Sequence, residues 1–441
     1  MASMTTQAVT VDQLNRQVQK MNQRISAQDQ RFRLNGFASF GITSSDEELA
    51  YNGVNDQTNF SRSSKMGVQM TFNLDSDNSV VMQLVSRGEN NWETNAEWAY
   101  FKHEFGDGLS AKLGRIRLPA YTLSEFLDVG YAVPWAQMPN ETYDALKQFS
   151  NMEGIDLTYN MDISDYTATF QLAYGRSLGT QFDLTDLISV NGVLQADTWS
   201  ARAGYSAASV EVIDEAGIAA LGLYGSATKG VDGSFVSVGF TYDPGDIYFT
   251  AEATSLKTDK SVIYDTDSMY ASIGYRFGQF MPTLTFATTE STDDEMRSLE
   301  SLLAANPVID TYDHDQDLYD NGYAATPEIP LNLITALAGA GATTTPAQIT
   351  ALEAAALDKT NPLHPVGFGA KSLQAESNRD TQRIGLGLRY DMSAGTALKL
   401  QYDIITVEDE AGMFENEGWA TSGANAPDGT NILTITIDTV F

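Results

Sequence analysis

Cysteine is absent from the 441-residue chain, which excludes a disulfide framework, a thiolate metal site and a cysteine nucleophile. Long apolar runs are also absent, and no stretch approaches the roughly 18 consecutive apolar residues of a transmembrane helix. Basic residues are few, with 26 Lys and Arg against 58 Asp and Glu and a formal charge of -32. Because phosphate contacts need clustered bases, this charge balance excludes a general nucleic-acid-binding protein.

Aromatic residues and glycine, in contrast, are plentiful, since the chain has 20 Tyr, 20 Phe and 35 Gly but only 12 Pro. From Phe32 onward, apolar and polar residues alternate with a period of two in sixteen segments of roughly ten residues. Ile384, Leu386 and Leu388, for example, alternate with polar or small residues and so share one face of a strand. The sequence therefore predicts an all-β protein.

The connections between these segments alternate in length. Short joins such as DSDN, GDG and MSAG follow even-numbered segments, although one longer join, at 206–216, separates the predicted strands 197–205 and 217–227. Odd-numbered segments are often followed by long connections, at 43–63, 118–152, 177–196, 290–379 and 408–429. Short turns at one end of the barrel and long loops at the other are typical of an outer-membrane β-barrel, in which the short turns are periplasmic. We therefore predict a transmembrane antiparallel barrel of about 16 strands over 32–441, with a soluble multi-sheet protein as the alternative.

The N-terminal segment, 1–31, has a different period. Its apolar residues follow one another at spacings of three and four, as at the a and d positions of a heptad repeat: Val11, Leu14, Val18, Met21 and Ile25. This pattern predicts a short α-helical coiled coil of about three heptads between copies of the chain. The alternative is an amphipathic helix that packs on its own domain. An even strand number would place this segment in the periplasm.

The chain resembles the trimeric porins of Gram-negative outer membranes. The resemblance covers 32–441 and depends on the terminal strand NILTITIDTVF ending at Phe441, the sixteen segments, the first strand RLNGFASFGIT, and KLGRIRLP before the long fifth connection. It implies a homotrimer in the outer membrane, in contact with membrane lipid and lipopolysaccharide, whose loop at about 118–152 folds into the lumen. The coiled coil resembles the subset that includes phosphate- and dicarboxylate-selective porins.

The implied function is passive transport of small hydrophilic solutes and ions through a water-filled channel, without a cofactor. The inward strand parity predicts a lumen wall with more bases than acids, which would favour small anionic solutes. The predicted inward bases are Lys65, Arg87, Arg202, Arg276, Arg383, Arg389 and Lys399, and the acids are Glu97, Asp156, Glu252, Asp403 and Asp438. Arg115 and Arg117 join them if a bulge near Gly114 turns them inward, because Leu113 shares their parity.

The predicted inward loop carries acids, including Glu125, Asp128, Glu141 and Asp144. Bases on the wall and acids on the loop would create a transverse field across the constriction. Alternatively, these pairs hold the loop in place as salt bridges. The loop aromatics allow two readings as well, a track for sugar stacking or the packing of the loop itself: Tyr121, Phe126, Tyr131 and Trp135.

The long loop 290–379 contains Asp313, Asp315 and Asp317 at the first three ligand positions of a calcium loop. Leu318 stands where such a loop needs glycine, and Ala324 where it needs a bidentate glutamate. The sequence therefore excludes an EF-hand, and a looser Ca²⁺ site is a weak alternative to a solvated acidic loop.

An enzyme would need a catalytic set, and the chain has 3 histidines. A Ser-His-acid arrangement would use His314 or His364, but no nucleophile-elbow motif accompanies them. We therefore expect no enzyme activity. Two further alternatives to a general porin are a channel for one solute, such as a sugar or organic acid, and a structural tether whose long acidic loops are the functional surface.

Overall fold

The computed structural model describes residues 31–179, 182–212, 229–258, 265–292, 380–408, 413–414 and 427–441. Sixteen antiparallel strands form one closed barrel in which neighbours in sequence are neighbours in space, and β1 pairs with β16. The predicted fold class is thus confirmed. Among the described residues, helical structure is limited to short turns such as Asn140–Tyr143, and none is long and apolar enough to span a membrane.

The strands follow one another in the chain with bounds that match most of the predicted segments within a few residues. They are β1 (Phe32–Ser45), β2 (Lys65–Asn73), β3 (Asn78–Arg87), β4 (Thr94–Gly106), β5 (Leu109–Arg117), β6 (Asn151–Ile163), β7 (Tyr166–Leu178), β8 (Phe182–Gln195), β9 (Trp199–Val212), β10 (Lys229–Tyr242), β11 (Ile247–Thr258), β12 (Thr266–Tyr275), β13 (Phe280–Ser291), β14 (Thr381–Ser393), β15 (Thr396–Val407) and β16 (Gly429–Val440).

The two faces of the barrel have opposite polarity. Leu386, Leu400 and Ile435 are 51%, 43% and 37% exposed on the outer face. On the inner face, Arg383 and Gln401 are buried. A soluble sandwich would bury its apolar face, whereas a membrane barrel turns that face to lipid and keeps polar side chains inside. The alternation in the sequence therefore describes a lipid-facing exterior.

The joins after even-numbered strands are tight turns, and those after odd-numbered strands lie at the other end of the barrel. We call these the turn end and the loop end. In the turn between β4 and β5, Asp107 and Gly108 both have positive φ angles, of 49° and 82°. The barrel closes where β1 pairs with β16, and two main-chain hydrogen bonds between Gly36 and Phe441, of 2.7 and 2.9 Å, extend this pairing at the turn end.

The predicted strand order was wrong around β8. The segment 177–196 was predicted to be a loop, but most of it forms β8, and β9 extends through much of the predicted join 206–216. A bulge interrupts this strand: the pairing with β9 shifts between Thr185 and Ile188, and Asp186 has a φ of 49°. The bulge exchanges the two faces of the strand, so Leu184 is buried whereas Ile188 and Val190, at positions of the same parity, are exposed on the outside.

Several predictions fall on residues outside the described ranges. They concern the segment 217–227, the coiled-coil positions Val11, Leu14, Val18, Met21 and Ile25, the loop from 293 to 379 with Asp313, Asp315 and Asp317, and the histidines His314 and His364.

Candidate functional site: a chain segment inside the barrel

The connection between β5 and β6, residues 118–150, lies inside the barrel, and we call it the inward segment. Its Trp135 Nε1 donates hydrogen bonds to Thr285 Oγ1 at 2.8 Å and to Ser272 Oγ at 3.2 Å, on β13 and β12. On the same side, the main-chain N–H of Ala136 donates to Gln401 Oε1 on β15 at 2.9 Å. The segment therefore leaves β5 and reaches the opposite wall of the barrel.

Aromatic packing holds much of this segment against the wall. Tyr121 and Tyr143 have ring centroids 4.9 Å apart, and Tyr121 also meets Phe235 of β10 at 5.1 Å. Trp135 meets Tyr270 of β12 edge-on at 5.6 Å. All five side chains are buried, so packing accounts for Tyr121 and Trp135 without a sugar track.

The two remaining aromatics of the predicted track have different surroundings. Phe126 is 47% exposed. The guanidinium of Arg389 lies over the ring of Tyr131, with 4.7 Å between Arg389 Cζ and the ring centroid. The Tyr131 hydroxyl accepts a hydrogen bond from the main-chain N–H of Gly395. Phe126 therefore presents an aromatic surface, whereas Tyr131 is engaged with the wall.

Four wall bases bind main-chain carbonyl oxygens of the inward segment: Lys65, Arg202, Arg389 and Lys399. Lys399 Nζ donates to the carbonyls of Gly130 at 2.5 Å and Trp135 at 3.0 Å. Arg389 Nη1 donates to the carbonyls of Tyr131 and Val133, at 2.7 and 3.1 Å. Arg202 donates likewise to the carbonyls of Pro119 and Ala120. An irregular segment inside a barrel leaves many carbonyls without partners, and these bases supply the missing donors.

A cluster of ions joins the inward segment to β3, β4 and β5. Arg87 binds Asp128 Oδ1 through Nε and Nη2, at 2.9 and 2.7 Å, and Arg117 Nη2 binds Asp128 Oδ2 at 2.7 Å. Glu97 accepts from Arg87 Nη1 at 2.6 Å. Burial alone would raise the pKa of the Asp128 carboxyl, but the charges of Arg87 and Arg117 outweigh burial and hold it well below its usual range.

Glu97 reaches this cluster because of a bulge in β4. Gln83 pairs with Trp98 and Leu84 pairs with Ala96, so Glu97 is the extra residue between the two pairs. A bulge was predicted near Gly114 of β5, but the pairings of β5 with β4 and β6 run without a shift at Gly114, and the shift in the pairing with β4 lies between Glu104 and Gly106, beside the turn. The irregularity lies one strand earlier than predicted.

The inward placement predicted for Arg115 was wrong. Its neighbour on the same face, Leu113, is 58% exposed on the outside of the barrel. Arg115 pairs across the sheet with Glu153, and Nη1 lies 3.8 Å from that carboxylate, which also binds Arg176 at 3.1 Å. Without a bulge at Gly114, the strand parity keeps Arg115 on the outer face with Leu113, whereas Arg117, the last residue of β5, contacts Asp128 of the inward segment although its parity is the same.

A second ion cluster forms on the opposite wall. Arg383 of β14 is fully buried, with Nε 3.0 Å from Glu141 of the inward segment and Nη1 3.3 Å from Asp403 of β15. Tyr51, from the connection between β1 and β2, is also buried and its hydroxyl lies 3.5 Å from Glu141 Oε1. The first long connection therefore folds inward too, a feature with no signal in the sequence beyond its apolar Tyr51 and Val54.

A third contact joins Tyr143 to the wall of β11 and β12. Its hydroxyl donates to Glu252 Oε2 at 2.8 Å and lies 3.0 Å from the hydroxyl of Tyr270. Burial, with Tyr270 and Glu252 nearby, raises the pKa of Tyr143 well above its ordinary value. The predicted loop acid Glu125 is exposed and has no such role.

Wall bases and loop acids are thus in direct contact at Arg87, Arg117, Arg383, Asp128 and Glu141. They are not separated by an aqueous gap, so the salt-bridge alternative describes this conformation better than a transverse field does. Chemically, the arrangement narrows the lumen with a segment whose polar main chain and carboxylates are matched to wall donors.

Solved structures with the same barrel fold include an anion-selective porin from Comamonas acidovorans, 13% identical with a TM-score of 0.53 over 93% of this chain and 99% of that chain. OmpF of Salmonella typhi is 11% identical with a TM-score of 0.51, over 93% and 97% of the two chains. OprB of Pseudomonas putida is 11% identical with a TM-score of 0.51, over 96% and 97%. No curated protein sequence matches the chain. The sequence model of the Gram-negative porins matches residues 25–410, and the chain therefore belongs to this family of outer-membrane diffusion channels.

Proposed function

We propose that this porin favours small anionic hydrophilic solutes and that the inward segment forms its constriction. The observation that carries the proposal is the charge of the wall. In a chain with 58 acids and 26 bases, the described wall residues that contact the inward segment or one another are mainly basic. The bases are Lys65, Arg87, Lys112, Arg117, Arg202, Arg383, Arg389 and Lys399, and the acids are Glu97, Asp156, Glu252, Asp403 and Asp438.

A basic wall in a narrow passage raises the local concentration of anions and disfavours cations. The surplus of acids in the rest of the chain lies outside this wall. Ion selectivity therefore depends on whether a solute meets the basic wall or the acidic loops at the narrowest point of the channel. The contacts between the inward segment and the wall bases favour the basic wall as the group that sets selectivity.

The experiment is a reversal-potential measurement on the purified full-length protein in a planar bilayer under a KCl gradient. A potential that indicates chloride permeating more readily than potassium is expected. The opposite sign would contradict the anion preference and leave the channel function intact, whereas no conductance from correctly folded protein would contradict open diffusion.

We further propose a homotrimer with the turn end in the periplasm and the loop end outside, where lipopolysaccharide would surround the outer face. The segment 1–31 would then be a periplasmic coiled coil, as in the phosphate- and dicarboxylate-selective porins. The apolar outer face supports contact with lipid and with neighbouring copies. Family and fold indicate a channel and not an enzyme.

A further inference from the structure

Three wall bases surround the carboxylate of Asp128. Arg87 and Arg117 occupy its two oxygens from β3 and β5, with contacts between 2.7 and 2.9 Å. Lys65 of β2 approaches the same turn of the inward segment and donates from Nζ to the carbonyl of Leu127 at 2.9 Å. We call Lys65, Arg87 and Arg117 the cradle. Two donors of Arg87 bind Oδ1 and one donor of Arg117 binds Oδ2, and such hydrogen bonds between charged groups are stronger than those between neutral groups.

The cradle belongs to the rigid wall, while its carboxylate belongs to a loop. Among the described wall residues in contact with the cradle, the acid is Glu97, which binds Arg87 directly and lies 3.7 Å from Arg117. The wall alone therefore carries excess positive charge at this point, and Asp128 offsets it.

The cradle also has an unused donor. Arg117 is 7% exposed, yet its Nε has no hydrogen-bond partner while Nη2 binds Asp128. A buried guanidinium nitrogen without an acceptor is costly. The donor set of the cradle is therefore larger than the single carboxylate that occupies it.

Basic side chains continue from the cradle toward the loop end. Glu89, two residues after Arg87, accepts from Arg62 at 3.0 Å and from Lys147 at 3.1 Å. Lys147 has half of its side chain exposed. An anion that enters from the loop end would meet Lys147 and Arg62 before it reaches the cradle.

We propose that the cradle is a binding site for the carboxylate group of a small solute, and that Asp128 occupies it as a tethered competitor. A solute carboxylate displaces Asp128, takes both guanidinium groups and frees the part of the inward segment around Leu127. The inference deepens the proposed anion preference and rests on it. It differs from that preference in predicting saturable binding at one place.

The test uses acetate as the probe and Asp128→Asn to remove the competing charge. A tethered group competes at an effective concentration on the order of millimolar or above, so its loss strengthens the binding of a free competitor. We expect acetate to reduce the single-channel chloride current of Asp128→Asn at a half-blocking concentration at least about tenfold lower than in the unmodified protein. Adding Arg117→Gln to this variant should abolish the block.

Asp243→Asn is the matched control, because it removes the carboxylate that Arg276 binds at the turn end, which belongs neither to the cradle nor to the inward segment. Its half-blocking concentration should stay that of the unmodified protein. An equal decrease in both variants, or none in Asp128→Asn, would overturn the inference. If Asp128→Asn does not fold, the single variant Arg117→Gln tests the inference, because it must weaken acetate block in the otherwise unmodified channel. A conducting, anion-selective channel that acetate does not block would contradict the carboxylate site in the cradle and leave the proposed anion preference intact.

Discussion

The Nε atom of Arg383 on β14 lies 3.0 Å from the carboxylate of Glu141, which is 242 residues earlier in the chain. Both side chains are almost fully buried, and Tyr51 and Asp403 complete their surroundings. Two long connections and two strands of the wall therefore meet at one ion pair. Such pairs join the inward segment to the strands of the wall.

Glu141→Ala should loosen the inward segment. Breaking a buried ion pair costs about 3–5 kcal/mol when it leaves a charge alone, and Asp403 reduces that cost here to about 1–3 kcal/mol. We expect larger current fluctuations and a higher mean conductance in single-channel recordings. Arg176→Ala, which removes an exposed outer ion pair, should behave like the unmodified protein. A quiet channel of unchanged conductance would show that Glu141 does not hold the segment.

Arg117→Ala and Arg115→Ala should have different effects although the residues are two positions apart. Arg117 faces the inward segment and contributes positive charge to the lumen, whereas Arg115 binds Glu153 on the outer face. Replacing Arg117 should shift the reversal potential toward cations, and replacing Arg115 should not. Equal shifts in the two variants would mean that the charge acts through the whole barrel and not through the constriction.

Alkaline pH should release the inward segment near Tyr143. Because the pKa of Tyr143 is raised in the folded state, the stabilisation is complete below the ordinary tyrosine pKa of about 10 and decreases as the pH rises above it. Burial also raises the pKa of Tyr121, so this residue contributes to the same pH dependence. Conductance should be steady from about pH 7 to 9 and increase above about pH 10. Tyr143→Phe, which does not ionise, should show a smaller increase.

Acid should leave the Asp128 contact intact. The pKa of this carboxyl is depressed, so its stabilisation is fully present above the ordinary aspartate value of about 3.9 and is lost only as the pH falls further, through the folded value. Lowering the pH from 7 to about 4.5 should therefore not change the conductance through loss of this contact. A conductance step in that range that is absent from Asp128→Asn would contradict the depressed pKa.

Gly130→Val should push the inward segment away from the wall. A Cβ at Gly130 would collide with Asp438 Oδ1 and Ser39 Oγ, which belong to β16 and β1. The valine side chain would also weaken the contact between Lys399 and the carbonyl of Gly130. We expect a larger single-channel conductance with unchanged β-sheet content by circular dichroism. Ala132→Val, at an exposed position two residues away, is the control for added volume alone.

The outer face of the barrel was predictable from the sequence wherever strands are regular. Leu386 and Leu400 alternate with inward residues and no bulge interrupts them, so parity alone gives their environment. Parity fails in β8, because the bulge at Asp186 leaves Leu184 buried and Ile188 exposed on the outside although both positions are even. Glu97 and Arg115 show the same limit, since one inserted residue in one strand decides which side chains reach the lumen.

Strand parity predicted that the wall bases face the lumen, but it did not predict which groups they bind. The inward parity identified Arg202, Arg389 and Lys399, but their partners are main-chain carbonyls of Ala120 and Gly130 and their neighbours. Every residue has a carbonyl, so the sequence contains no signal for such a contact. Asp128 and Glu141 could be named as loop acids, while the arginine that each one binds depends on how the segment crosses the barrel.

The inward segment follows β5, yet Gly130, Ala136 and Glu141 bind residues on β14 and β15 that are 242 to 269 positions later in the chain. These partners are in place only when the last strands have joined the barrel. Contacts at such long sequence separation form late, because the intervening chain must be ordered first. The inward segment can therefore be fixed across the lumen only after β14 and β15 have joined the barrel, and we expect its contacts to be among the last to form.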